Sequence, residues 1–157
     1  MITFYTSVQL KITERKTLHF AISFFALFLI SFQAIAQSPA TVSLAATGAT
    51  TYAPTGANNF TLYDNGGSGA NYTNSANGYL VIPGVPGQTI TIQGSYAVES
   101  GYDYVKIFAN TAPSGTVVLN SSTSTSWYKY TAAAGQALTV QLTSDGSTNY
   151  AGINFVV

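Results

Sequence analysis

Beyond its first 36 residues the chain predicts an all-β fold, an antiparallel two-sheet sandwich or jelly roll. Three observations carry this prediction. Helix signals are absent from that stretch, which is rich in Thr, Val, Ile, Tyr and Phe. Apolar residues alternate with polar ones at period two: Ile90 and Ile92 against Thr89, Thr91 and Gln93; Leu138, Val140 and Leu142 against Thr139, Gln141 and Thr143; then Ile153, Phe155 and Val157. Such alternation puts one face of a strand on a core and the other toward water. Gly, Asn, Ser and Pro punctuate these runs at short intervals, as turns require.

In chain order, residues 1–36 read as a secretory signal peptide. Lys11, Arg15 and Lys16 precede an apolar run from Leu18 to Phe32, and Ala34-Ile35-Ala36 supplies a small-x-small cleavage site before Gln37. The competing reading is a retained anchor, because Leu18 to Ala36 nearly suffices to span a bilayer. Residues 37–58 are Ala/Thr-rich and read as a linker carrying one edge strand, Thr41–Leu44. Residues 59–157 read as the domain proper. Its strands are predicted at Asn59–Tyr63, Gly78–Ile82, Thr89–Tyr96, Tyr102–Phe108, Thr116–Leu119, Ser126–Thr131, Ala137–Thr143 and Gly152–Val157. Between them lie the Gly-rich connection Asp64 to Asn71, the stiff link Pro83-Gly84-Val85-Pro86-Gly87 and the turn Ala132 to Gly135. No internal repeat is evident. The sequence stops within an apolar strand, which reads as a piece of a larger exported protein.

Composition excludes several functions. Glu14, Lys11, Arg15 and Lys16 lie in the leader, which leaves four acidic against two basic side chains, a net charge of −2. Without a basic patch, nucleic acid is excluded as a partner. The chain has no cysteine, so an exported fold must hold without disulfides and without thiolate metal ligands. Its single histidine, His19, belongs to the leader. The remaining chain therefore has no imidazole for a nucleophile–base pair or a zinc site.

Three of the four remaining acids fall at predicted strand ends. Glu99 and Asp103 sit in Ala97-Val98-Glu99-Ser100-Gly101-Tyr102-Asp103-Tyr104, and Asp145 sits in Thr143-Ser144-Asp145-Gly146-Ser147. In a chain this poor in charge, they are unlike ordinary solubilising surface. If the flanking strands bring them to one end of the sandwich, their mutual repulsion needs a cation to offset it. Gly146 would let the following backbone curl so that carbonyl oxygens complete the shell. An all-oxygen set on loops suits Ca2+ better than Zn2+ or Mg2+. The alternative is three separate solvated turn residues.

Three motifs in order resemble bacterial, cysteine-free CUB domains. Phe60-Thr-Leu-Tyr63-Asp64-Asn-Gly66-Gly67 followed by Asn71-Tyr72 is similar to the opening of that family. Thr89-Ile-Thr-Ile-Gln-Gly-Ser-Tyr96-Ala-Val-Glu99-Ser-Gly-Tyr102-Asp103-Tyr104-Val105-Lys-Ile107 is similar to its core. Ala137-Leu-Thr-Val-Gln-Leu-Thr-Ser144-Asp145-Gly-Ser147, then Ala151-Gly152-Ile-Asn-Phe155, is similar to its ending. The resemblance spans residues 59–157. It implies a jelly roll that binds one Ca2+ through Glu99, Asp103 and Asp145, with a backbone carbonyl at Ser147 or its neighbour. It also implies that Tyr72 hydrogen-bonds the glutamate, and that a lysine of an extracellular protein partner docks on the acidic face. The chain departs from animal members in lacking paired cysteines and in its shorter Glu-to-Asp spacing. Ala109-Asn110 stands where the family has Asp-Gly. Asp64, outside the implied ligand set, reads as a turn residue.

The expected function is therefore that of a secreted, extracellular or cell-surface adhesion and recognition module without catalysis. The alternative is a carbohydrate-binding module that stacks glycan on Trp127 and Tyr130. Alternation sets Trp127 and Lys129 opposite Tyr128 and Tyr130, and the preferred assignment puts Trp127 or Tyr128 in the core with Tyr130 at an edge. A glycoside hydrolase using two of the carboxylates is the third option. The short chain and the lack of a cleft-building insertion weigh against it.

Overall fold

The computed structural model describes residues 40–50, 52 and 59–157. The signal peptide read at residues 1–36 lies outside them. Among the described residues there are ten strands: β1 (Ala40–Ser43), β2 (Thr47–Thr50), β3 (Phe60–Tyr63), β4 (Asn77–Ile82), β5 (Thr91–Ala97), β6 (Tyr104–Phe108), β7 (Val117–Ser121), β8 (Thr125–Thr131), β9 (Leu138–Thr143) and β10 (Gly152–Val156). They form two five-stranded sheets, ordered β1-β3-β10-β5-β8 and β2-β4-β9-β6-β7. The two sheets pack as a sandwich, as the alternation predicts.

The inner faces come from the periodic residues. Leu138, Val140 and Leu142 on β9, Ile153 and Phe155 on β10, and Ile92 on β5 are all buried. Tyr96, Tyr128 and Phe155 pack ring against ring, with centroids 6.1 to 6.4 Å apart in edge and tilted arrangements. One outward position breaks the pattern. Thr139, expected to face water, is fully buried, because its hydroxyl donates to the Asn110 carbonyl at 2.8 Å beneath the β6–β7 connection.

Two features of the architecture differ from the sequence reading. The stretch read as a linker with one edge strand supplies two, β1 on one sheet and β2 on the other, with buried Leu44 at the corner between them. Thr47-Gly48-Ala49-Thr50 carries no apolar signal and is a strand because it pairs with β4. The sandwich is also not wholly antiparallel. The β1–β3 and β2–β4 pairings are parallel, and the other six pairings are antiparallel.

Strand directions decide what meets at each pole. β9 ends where β6 begins, with Thr143 opposite Tyr104. β5 ends where β10 begins, with Ala97 opposite Gly152. Asp64 follows β3 at this same pole and is wholly buried. One carboxylate oxygen accepts the Gly66 N–H at 2.7 Å and the other accepts the Ile153 N–H at 2.8 Å. The Asp64 carbonyl also accepts the Gly67 N–H at 3.1 Å. Asp64 is thus the expected turn residue and, in addition, a clamp between β3 and β10. Gly152 allows the clamp to close: its φ is 66°, and a Cβ there would lie 2.0 Å from the Asp64 carboxylate.

Burial raises the Asp64 carboxyl above its ordinary value of 3.8, although the N–H bonds from Gly66 and Ile153 pull the other way. Asp64→Ala leaves two donors without their acceptor and is expected to cost about 2–4 kcal/mol in urea denaturation. A raised folded-state pKa contributes stability that is complete below the unfolded-state value and declines as pH rises through the folded-state value. The stability difference between wild type and Asp64→Ala is therefore expected to be widest in acid, below 3.8, and narrower at neutral pH.

Candidate metal centre

Glu99 and Asp103 bracket the turn from β5 to β6, and Asp145 follows β9, so all three reach the pole that Asp64 clamps. One carboxylate oxygen from each lies within 4.8 Å of the others. The three acids singled out from sequence spacing do converge, across both sheets of the sandwich.

Each is held differently. Asp103 is fully buried. One of its oxygens accepts the Tyr72 hydroxyl, and the other accepts the Asp145 N–H at 2.9 Å. The Glu99 N–H donates to the Tyr72 hydroxyl oxygen at 3.2 Å. Tyr72, itself 1% exposed, thereby ties the β5–β6 turn to the loop before β4. Tyr72 was expected to bond the glutamate; its hydroxyl accepts the Glu99 backbone N–H but donates its hydrogen bond to Asp103 rather than to the Glu99 carboxyl. Burial and the bond to Asp103 both raise the Tyr72 hydroxyl well above its ordinary value. Glu99 Oε2 is buried without a hydrogen-bond partner. Loss of solvent, then the charges of Asp145 and Asp103, raise the Glu99 carboxyl, and a side-chain hydrogen bond from Thr148 partly offsets this.

In the turn after Asp145 the residue that curls the backbone differs from the sequence reading, while Ser147 makes a local contact. Ser147 donates its N–H to Asp145 Oδ1 at 2.9 Å and its hydroxyl to the same oxygen at 3.5 Å. It thus orients Asp145 by a local turn. Gly146 was expected to allow the backbone to curl, but the left-handed residue is Thr148, with φ 49°. A Cβ at Gly146 would meet nothing within 4 Å, so the turn does not require glycine there.

Several residues of this pole were not found from sequence. Asn149 donates to Asn74 Oδ1 at 3.0 Å, Asn74 donates to the Gly146 carbonyl at 3.1 Å, and Asn71 donates to the Asn149 carbonyl at 2.8 Å. The Ser144 hydroxyl donates to the Thr73 carbonyl at 2.9 Å and accepts the Ala76 N–H at 2.8 Å. These bonds lace the loop from Asp64 to Ala76 onto the loop that carries Asp145. The signal was present as Asn71, Asn74 and Asn149 in turn segments, but asparagine in turns has a sufficient local explanation.

The aromatic cluster lies elsewhere. Tyr128 and Tyr130 both pack against the core partly buried, while Trp127 is 63% exposed on the outer face of β8. Trp127 therefore does not fill the core. Trp127 and Tyr130 cannot form one stacking surface, since they lie on opposite faces of a strand. Lys106 lies over the Tyr104 ring, 5.5 Å from its centroid, and is not placed against the carboxylates.

No family model and no curated protein matches this chain.

The Tyr72 hydroxyl is the shared partner of two loops. Tyr72→Phe removes the donor to a buried carboxylate and the acceptor of the Glu99 N–H, so a loss of about 2–3 kcal/mol is expected in chemical denaturation. A loss below about 0.5 kcal/mol would mean that the loops hold Asp103 without it.

Proposed function

We propose that this chain is a secreted, non-catalytic recognition module of CUB-like type, in which Glu99, Asp103 and Asp145 hold one calcium ion. The observation that carries the proposal is the convergence of three carboxylates within 4.8 Å, with Asp103 fully buried and Glu99 Oε2 buried and unpartnered. Burying like charges together is unfavourable unless a cation or protons neutralise them. The donor set is all oxygen and sits on loops, which favours calcium over zinc or magnesium. The three family-like motifs support the reading independently, because each proposed ligand falls within one of them.

In this reading calcium joins the β5–β6 turn to the loop after β9, and the acidic pole is the binding face. The partner is an extracellular protein that presents a lysine to that face, as the CUB resemblance implies.

Calcium that binds only the folded form stabilises it by about 2.7 kcal/mol at a hundredfold excess over Kd. For a domain of this size the melting temperature is expected to rise by roughly 10 °C, and chelator should reverse the rise. Asp145→Ala should abolish the response. An undiminished calcium-dependent shift in that variant would remove these carboxylates as the site.

A further inference from the structure

Beyond the acidic pole, we propose that the outer face of the β1-β3-β10-β5-β8 sheet is a second binding site, a flat platform for a neutral oligosaccharide with Tyr63 and Trp127 as its two stacking rings. The strand register sets the arrangement. Tyr63 lies opposite Asn154, and Asn154 lies opposite Ser95. The register shift between β5 and β8 then sets Ser95 against the Ser126–Trp127 step, since Gly94 faces Tyr128 and Tyr96 faces Thr125. One row across the sheet thus runs Tyr63, Asn154, Ser95, Trp127. Three inter-strand steps separate its two rings by ~14 Å. A tetrasaccharide covers that span and a disaccharide does not.

The chemistry of the face selects the occupant. The neighbouring row pairs Val156 with Gln93 and Gln93 with Lys129. Amide and hydroxyl side chains therefore lie beside and between the rings, and Lys129 is the one charge in these two rows. Such a surface suits a ligand that is uncharged, rich in hydroxyls and apolar on its ring faces. It does not suit nucleic acid or a highly charged peptide. Trp127 is the only tryptophan in the chain and is 63% exposed, where a core position would have removed its ring from water. The bulge that displaces it from the regular register is a device for aiming a side chain. Tyr63 is partly buried and follows buried Leu62 in the strand alternation, so it lies on the outward side of β3. The site shares no residue with the acidic cluster.

The single tryptophan makes the test direct, because its fluorescence reports on one ring. The full chain is titrated with cellotetraose, chitotetraose, xylotetraose and mannotetraose, and with the matching disaccharides, in calcium and in EDTA. At least one tetrasaccharide should shift or quench the emission and bind at least tenfold more tightly than its disaccharide, equally in EDTA. Tyr63→Ala should weaken that binding tenfold or more by calorimetry, and Trp127→Ala should do the same. Both variants should keep the wild-type circular dichroism. Absence of a response to all four tetrasaccharides at millimolar concentration would overturn the proposal. So would binding that survives both substitutions. Concentration-dependent self-association lost in Trp127→Ala, without sugar binding, would assign the face to a second copy of the chain and overturn it as well. Insensitivity to EDTA separates this outcome from any failure of the calcium site.

Discussion

The arrangement at the acidic pole depends on one buried carboxylate. Asp103 is fully removed from solvent, and both of its oxygens are used, one by the Tyr72 hydroxyl and one by the Asp145 N–H. Those two bonds connect three separate stretches of chain: the β5–β6 turn, the loop before β4 and the loop after β9. A buried charge is tolerated only where its hydrogen-bonding capacity is met, so each stretch limits where the others can lie. The approach of Glu99 and Asp145 to the same point follows from this. Asp64 performs a related task one layer away, holding the start of β10 to the end of β3 through backbone donors.

Much of the fold was legible because burial enforces alternation. Leu138, Val140 and Leu142, and likewise Ile153 and Phe155, point inward as their spacing requires. The acidic trio was legible for a different reason. In a sequence with so few charges, each acid at a strand end stands out, and the strand directions that unite them follow from antiparallel pairing of neighbours.

The missed features share a physical cause: they depend on partners distant in sequence. Thr47-Gly48-Ala49-Thr50 has no pattern of its own and is a strand only because β4 offers it a parallel edge. Thr139 has a water-facing register but is covered by the Asn110 loop. Alternation separated Trp127 from Tyr128 correctly, yet could not say which of the two faced the core. The packing of Tyr128 against Tyr96 and Phe155 decided that. Asp64 looked like any Asp-Asn-Gly-Gly turn, because its second role is to accept a hydrogen bond from Ile153, 89 positions along the chain.

The parallel pairing of β1 has a geometric consequence for how the domain is displayed. Ala40 is in register with Phe60, and Phe60 exchanges both backbone hydrogen bonds with Val157. The first and last described residues therefore flank Phe60 on either side, two inter-strand steps apart, at the end of the sandwich away from the carboxylates. A tag, a surface or a neighbouring module joined at either point would hold the domain like a stem, with the acidic tip directed outward. Attachment at Ala40 or Val157 should thus leave the tip accessible, whereas coupling through the loops around Asn71 or Asn149 would obstruct it.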